Sequence, residues 1–287
     1  MKALLGWLLV FGVAWAQPQP SMSVSPKKIQ VGQPVEMTFK VQEGGTTLTD
    51  FDVVHEKTSH LILVSADYTD FQHVHPSLDA QGKFTIGDVR LRRPGRYYVF
   101  MDVTPQGSKQ IVKRFELQVE GKGQLLVLRE DTVDKGIGGV RCRLITEPAQ
   151  LKTGDALLRF QLTRQGKPVT DIEPFMGALG HVIAMGKDGA PFLHIHPLDG
   201  EHEGHKPTAA FTCPMHPEVV SDKPGTCPKC SMQLISAKQQ ADLNAVKIGP
   251  GEVVLHANFP KPGLYKVWGQ FQVSGRMLIM PYTVRVR

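Results

Sequence analysis

The chain has 287 residues, 41% hydrophobic and 21% charged, with a net charge of +6 and a pI near 9.1. The basic excess is spread thinly, with no block of like charges and no basic–aromatic interleaving, so it marks a solvated surface and excludes a nucleic-acid footprint. The apolar run at residues 4–13 is too short for a comfortable bilayer span, and no longer run follows it.

Residues 1–16 read as a secretory signal peptide. Lys2 supplies the positive end, residues 4–13 the apolar core, and Ala14-Trp15-Ala16 a small-x-small cleavage site before Gln17. An uncleaved anchor is the alternative. No cysteine follows the cleavage site to carry a lipid. The expected product is periplasmic or secreted, has no membrane span, and at ~270 residues is long enough for two domains.

Short strand-like runs broken by Gly, Pro, Asp and Asn follow. Val35, Met37, Phe39 and Val41 alternate and would share one face of a strand. Residues 96–103 follow Pro94-Gly95 as a second strand, and residues 112–119 alternate again. This half shows no amphipathic helix, and its turn spacing argues for an antiparallel β-sandwich.

The second half repeats the first. Leu48-Thr-Asp-Phe51 corresponds to Val169-Thr-Asp-Ile172, His60-Leu-Ile-Leu-Val64 to His181-Val-Ile-Ala-Met185, and His73-Val-His-Pro76 to His194-Ile-His-Pro197. All share an offset of 121 residues (181 − 60). Pro94-Gly-Arg-Tyr97 corresponds to Pro262-Gly-Leu-Tyr265 at an offset of 168 (262 − 94), so the second copy carries a net insertion of 47 (168 − 121). The expected fold is all-β: two tandem Ig-like antiparallel β-sandwich domains, with a small Cys/His module inserted in the second. The boundaries are 17–122 for the first sandwich, 123–199 with 246–287 for the second, and 200–245 for the module. Gly136-Ile-Gly-Gly139 predicts a hairpin turn, residues 200–207 a polar connector, and residues 236–244 a short helix.

Each repeat carries a His-x-His pair with another histidine thirteen residues before it, giving His60, His73, His75 and His181, His194, His196. Positions i and i+2 of a strand share a face. A six-residue loop at 65–70 would set residue 60 opposite 75 and make a three-imidazole metal site in each repeat. A five-residue loop would turn His60 away. A purely structural role, closing the strand by hydrogen bonds, is the alternative. His55 and His256 show no partner in sequence, and His202 and His205 read as solvated. Met176, Met185, Met277 and Met280 read as core fillers, with the last two close enough to watch.

The densest chemistry lies at Cys213-Pro-Met-His216 and Cys227-Pro-Lys-Cys230, two short pairs separated by ten residues. Thiolate and imidazole are the soft and borderline donors that late transition metals prefer. Pro214, Pro217, Pro224, Gly225 and Pro228 stiffen the turns, and Met215 and Met232 add thioethers that favour Cu(I). A CxxC redox pair or disulfide is the competing reading. Cys142 stands apart in an apolar strand, as a buried small hydrophobe, a disulfide partner or a fourth ligand.

Residues 211–235 resemble the small heavy-metal-binding domain of copper-transporting ATPases and periplasmic heavy-metal efflux adaptors. The resemblance rests on Thr212-Cys-Pro-Met-His-Pro-Glu218, Asp222-Lys-Pro-Gly225 and Cys227-Pro-Lys-Cys230, with Ser231 where the family usually has Gly. It covers less than a tenth of the chain and implies heavy-metal binding, copper first. The expected function is an exported, non-enzymatic metal-binding protein for buffering, resistance or transfer. Its cofactor would be Cu(I), with zinc second, and its partners metal-transport or efflux proteins of the envelope. The alternative is an envelope interaction module, or transporter accessory, with a structural zinc clip. No nucleophile–base pattern, phosphate loop or carboxylate pair suggests an enzyme, although a copper oxidase using the imidazoles stays open.

Overall fold

The computed structural model describes residues 17–124, 127–131, 133–195, 197–198, 209–214, 218–228 and 232–287. The signal-peptide reading, the 200–207 connector with His202 and His205, and Met215, His216, His196, Cys230 and Ser231 lie outside them. The fold is all-β, with two Ig-like antiparallel sandwiches in tandem.

In the first sandwich, strands Gln19–Ser25, Pro34–Glu43 and Lys83–Arg90 form one sheet. Strands Phe71–Val74, Ser59–Ser65, Gly95–Val103 and Ile111–Val119 form the other. Alternation drives the layering. Val35, Met37, Phe39 and Val41 are all buried and meet Leu61, Leu63, Tyr97, Val99 and Met101 from the facing sheet. Asp70 holds one corner: Tyr97 Oη donates to its Oδ2 at 2.6 Å and the Arg92 backbone N–H at 2.8 Å. Asp70→Ala would strand a buried hydroxyl and an amide, and should lower stability by about 2 kcal/mol, read as a lower urea midpoint with an unchanged slope.

The second sandwich repeats this plan. Val140–Glu147, Gly154–Arg164 and Glu252–Phe259 form one sheet, and Phe192–Ile195, His181–Gly186, Gly263–Val273 and Arg276–Val286 the other. A hairpin strand, Asp134–Ile137, is added, and its turn is Gly138-Gly139 with φ of +60° and +80°, a conformation glycine adopts without strain. Cys142 is fully buried in this core, apart from the cluster that holds Cys213 and Cys227. Burial pushes its thiol up to about 12, so it is a small core hydrophobe and not a ready thiolate.

Strands Ser59–Ser65 and His181–Gly186 are buried along their whole length. Their odd and even positions serve different cores. Leu61 and Leu63 face the first sandwich's interior, and Val182 and Ala184 that of the second. Ile62, Val64, Ile183 and Met185 meet each other between the sandwiches, with Tyr98, Phe100 and Trp268. The packing is a swap. Phe71 of the first repeat stacks on Trp268 of the second at 4.7 Å, and the equivalent Phe192 stacks on the equivalent Phe100 at 4.2 Å. Tyr68 Oη donates across the interface to Gly186 O at 2.8 Å.

The insertion carries its own small sheet of Phe211–Thr212, Val220–Ser221 and Ile235–Ser236. It returns through helix Ala237–Asn244, whose N-cap Ser236 and Gln239 form a capping box. No helix among the described residues is long and apolar enough to cross a membrane.

Candidate metal centres

The histidine register is the one with the six-residue loop. Leu61 pairs with Val74 and Ile62 with His73, which sets His60 opposite His75. The Ser65 N–H donates to Asp70 O at 3.0 Å and closes that loop. Val182 pairs with Ile195 and Ile183 with His194, the same register in the second copy. His60 and His73 therefore share the face of Ile62, which looks outward from the first sandwich at the second.

Because both repeats bury that face against each other, the histidines gather at one place, not one site per repeat. His60 lies 5.4 Å from His73, 5.1 Å from His75 and 5.1 Å from His194, measured between ring centroids. His73 lies 5.3 Å from His194, and His181 6.0 Å from both His73 and His194. His55 also joins, 5.8 Å from His181. One ring nitrogen from each of His60, His73 and His194 lies within 4.8 Å of the others.

Oxygen acceptors orient these rings. His60 Nε2 faces Val54 O at 3.0 Å, and the equivalent His181 Nε2 faces the equivalent Phe175 O at 2.9 Å. His73 Nδ1 faces Gln270 Oε1 at 3.1 Å, and His194 Nδ1 faces Asp102 Oδ2 at 3.2 Å. Asp102 and Gln270 are equivalent positions of the two repeats, at the 168 offset (270 − 102), so each repeat orients the other's histidine. Sequence reading missed both. The available signal was a carboxylate in an otherwise apolar strand, Arg96-Tyr-Tyr-Val-Phe-Met-Asp-Val103.

Burial first, then the neighbouring imidazoles, hold His73 and His194 well below the usual histidine range. Burial lowers His75 to about 3 and His181 to about 4. Burial pushes the Asp102 carboxyl up to about 6, although His60 and the Gln110 amide draw it down. At neutral pH the rings are uncharged, the form in which imidazole ligates a metal.

The module brings Cys213 and Cys227 together in one buried cluster, with Val219, Met232 and Leu234 packed against it. The Cys213 N–H donates to Val219 O at 3.1 Å, and the Cys227 N–H to Met232 O at 2.8 Å. The module also docks on the first sandwich. The Gln110 N–H donates to Pro228 O at 3.1 Å, while the Gln110 side chain donates to Asp102 Oδ1 at 2.7 Å. A cavity of about 250 Å³ lies along this seam, lined by Met232 and Gln233 from the module and by Asp102, Gln110, His194 and His256.

His256, without a partner in sequence, has one in space: its Nε2 lies 3.1 Å from Asp155 Oδ1. Met176, Met185 and Met280 are buried as core fillers. Met277 is not, being 38% exposed. Positions 277 and 280 differ by three along a strand and so point to opposite faces, which rules them out as a pair.

Over 39 aligned positions the chain is 59% identical to a copper-transporting P-type ATPase of Rhizobium leguminosarum bv. viciae, a match covering 11% of this chain and 5% of the ATPase. Among solved structures, the Escherichia coli adhesin FdeC matches 96% of this chain and 66% of its own, at 12% identity and a TM-score of 0.28. A Salmonella alpha-2-macroglobulin matches 96% of this chain and 15% of its own, at 13% identity and a TM-score of 0.27. The profile of a domain of unknown function, DUF8832, matches residues 19–121 and 135–287, one stretch over each sandwich, and the chain belongs to that family.

Proposed function

We infer that this is an exported metal-binding protein that takes up a soft ion, Cu(I) first, in its inserted module and buffers it or hands it to a metal-transport protein of the envelope. The observation that carries the reading is the packing of Cys213 and Cys227, fourteen residues apart in sequence (227 − 213), into one buried cluster of the inserted module. The ATPase match supports it, because a copper transporter shares a 39-residue stretch with this chain. In this reading Cys213, Cys227 and Cys230 bind as thiolates and His216 completes the set, with Met215 and Met232 alongside. Uptake then releases protons, and affinity falls in acid. The protein binds and passes on metal and catalyses no reaction.

A structural zinc clip is favoured by one feature, the complete burial of both described cysteines, since structural zinc sites are closed. Competition separates the two. The purified mature chain is loaded with Zn(II) and titrated with Cu(I) from a chelator buffer. Copper displacing one equivalent of zinc, and not doing so in Cys227→Ser/Cys230→Ser, is the expected result. Zinc retained throughout would replace the transfer reading with the clip.

A further inference from the structure

The interdomain histidines bring ring nitrogens together at ligand spacing. A neutral imidazole carries one N–H and one lone pair. His60 Nε2 faces the acceptor Val54 O, and His73 Nδ1 faces Gln270 Oε1. With the ring protons on those nitrogens, His60 Nδ1 and His73 Nε2, 3.1 Å apart, both present lone pairs to the space between them. His194 turns its Nδ1 to Asp102, and one ring nitrogen from each of the three histidines lies within 4.8 Å of the others. A cation placed among them would be coordinated by those lone pairs. His75 adds an Nε2 that is buried without a hydrogen-bond partner in the same cluster.

We propose that one late transition-metal ion is held between the two repeats by His60, His73 and His194, with His75 beside it, and that this ion ties the sandwiches together. The ligand set holds neither thiolate nor carboxylate. Neutral imidazoles suit copper and zinc and disfavour calcium and magnesium, which take oxygen. The surroundings have the arrangement metal-ligating histidines need: Val54 O, Gln270 Oε1 and Asp102 Oδ2 each lie at hydrogen-bond distance from the far ring nitrogen and would hold the ring plane. The seam cavity is lined by His194 and its partner Asp102. The site uses ligands from both repeats, so neither forms it alone. It goes beyond the cysteine module and does not rest on it.

The test uses the full mature chain with the module silenced by Cys213→Ser, Cys227→Ser and Cys230→Ser, titrated with Cu(II). One equivalent should bind, with nitrogen hyperfine splitting in its EPR spectrum and a rise in melting temperature. His73→Gln and His194→Gln, one in each repeat, should each weaken that same equivalent by at least ~100-fold, and Gln270→Leu, which leaves every ligand in place, by roughly 10–100-fold. Near-UV circular dichroism confirms that each variant is folded, and the Gln270 variant keeps the test alive if a ligand variant is not. Two equivalents lost separately by the two histidine variants would overturn a shared site. So would one equivalent indifferent to all three, or none at all. The extra equivalent expected in the unsilenced chain reads the module independently, so failure of one site is distinguishable from failure of the other.

Discussion

Trp268→Ala should destabilise the protein by about 3–5 kcal/mol, the range for truncating a large aromatic in a packed core. Trp268 is 2% exposed and stacks on Phe71 at 4.7 Å and on Tyr68 at 6.2 Å. Those partners belong to the other repeat, so the cavity would open between the sandwiches and not within one. Gln270 lies two residues along the same face and holds His73. The substitution should therefore also loosen the histidine cluster, and reduce any ion bound there, without touching a ligand. Urea unfolding measures the first effect and metal titration the second. Val53→Ala, at 66% exposure, serves as the control and should stay within about 0.5 kcal/mol. A Trp268→Ala loss below about 1 kcal/mol would show that the two repeats do not rest on each other in solution.

Cys213→Ser together with Cys227→Ser should abolish tight Cu(I) or Zn(II) binding by the module. Removing a direct ligand costs more than the roughly 10–100-fold typical of an outer-shell change, and here two go at once. The same variant should lose metal-dependent order locally. Among the described residues, Cys213 and Cys227 pack with Val219, Met232 and Leu234, too few apolar groups to repay the conformational entropy of the stretch. Amide exchange over residues 211–236 of the full chain should slow on metal addition in the parent and not in the variant. The sandwich cores, built from other residues, should melt as before. Slow exchange in the metal-free parent would remove the case for metal-driven folding.

How much could be read in advance follows from the range of each interaction. The alternation of Val35, Met37, Phe39 and Val41 announced a strand because burial on one face needs period two and nothing distant. The glycine pair at 138–139 announced its turn, since the positive φ it supplies is a property of the residue itself. The short helix expected over residues 236–244 is Ala237–Asn244, and the Ser236–Gln239 capping box that starts it acts within one turn. The two short pairs of soft donors in the module were visible in spacing alone, because each pair is local.

The histidine cluster was different. Residue type and the 121 offset exposed both triads, but one register step separated a shared face from opposite faces, and only the closed Ser65–Asp70 loop chose. That His60, His73 and His75 meet His181 and His194 depends on how the repeats pack, and no spacing along the chain encodes it. Asp102 and Gln270 stayed unremarked for the same reason: each acts on a histidine of the other repeat, 92 and 197 residues away. By itself the sequence determined a duplicated all-β chain with an inserted cysteine–histidine module. The tertiary structure decided where the histidines meet, because the apolar outer faces of strands Ser59–Ser65 and His181–Gly186 must leave water and pack together with Phe71, Tyr98, Phe100 and Trp268 between the sandwiches.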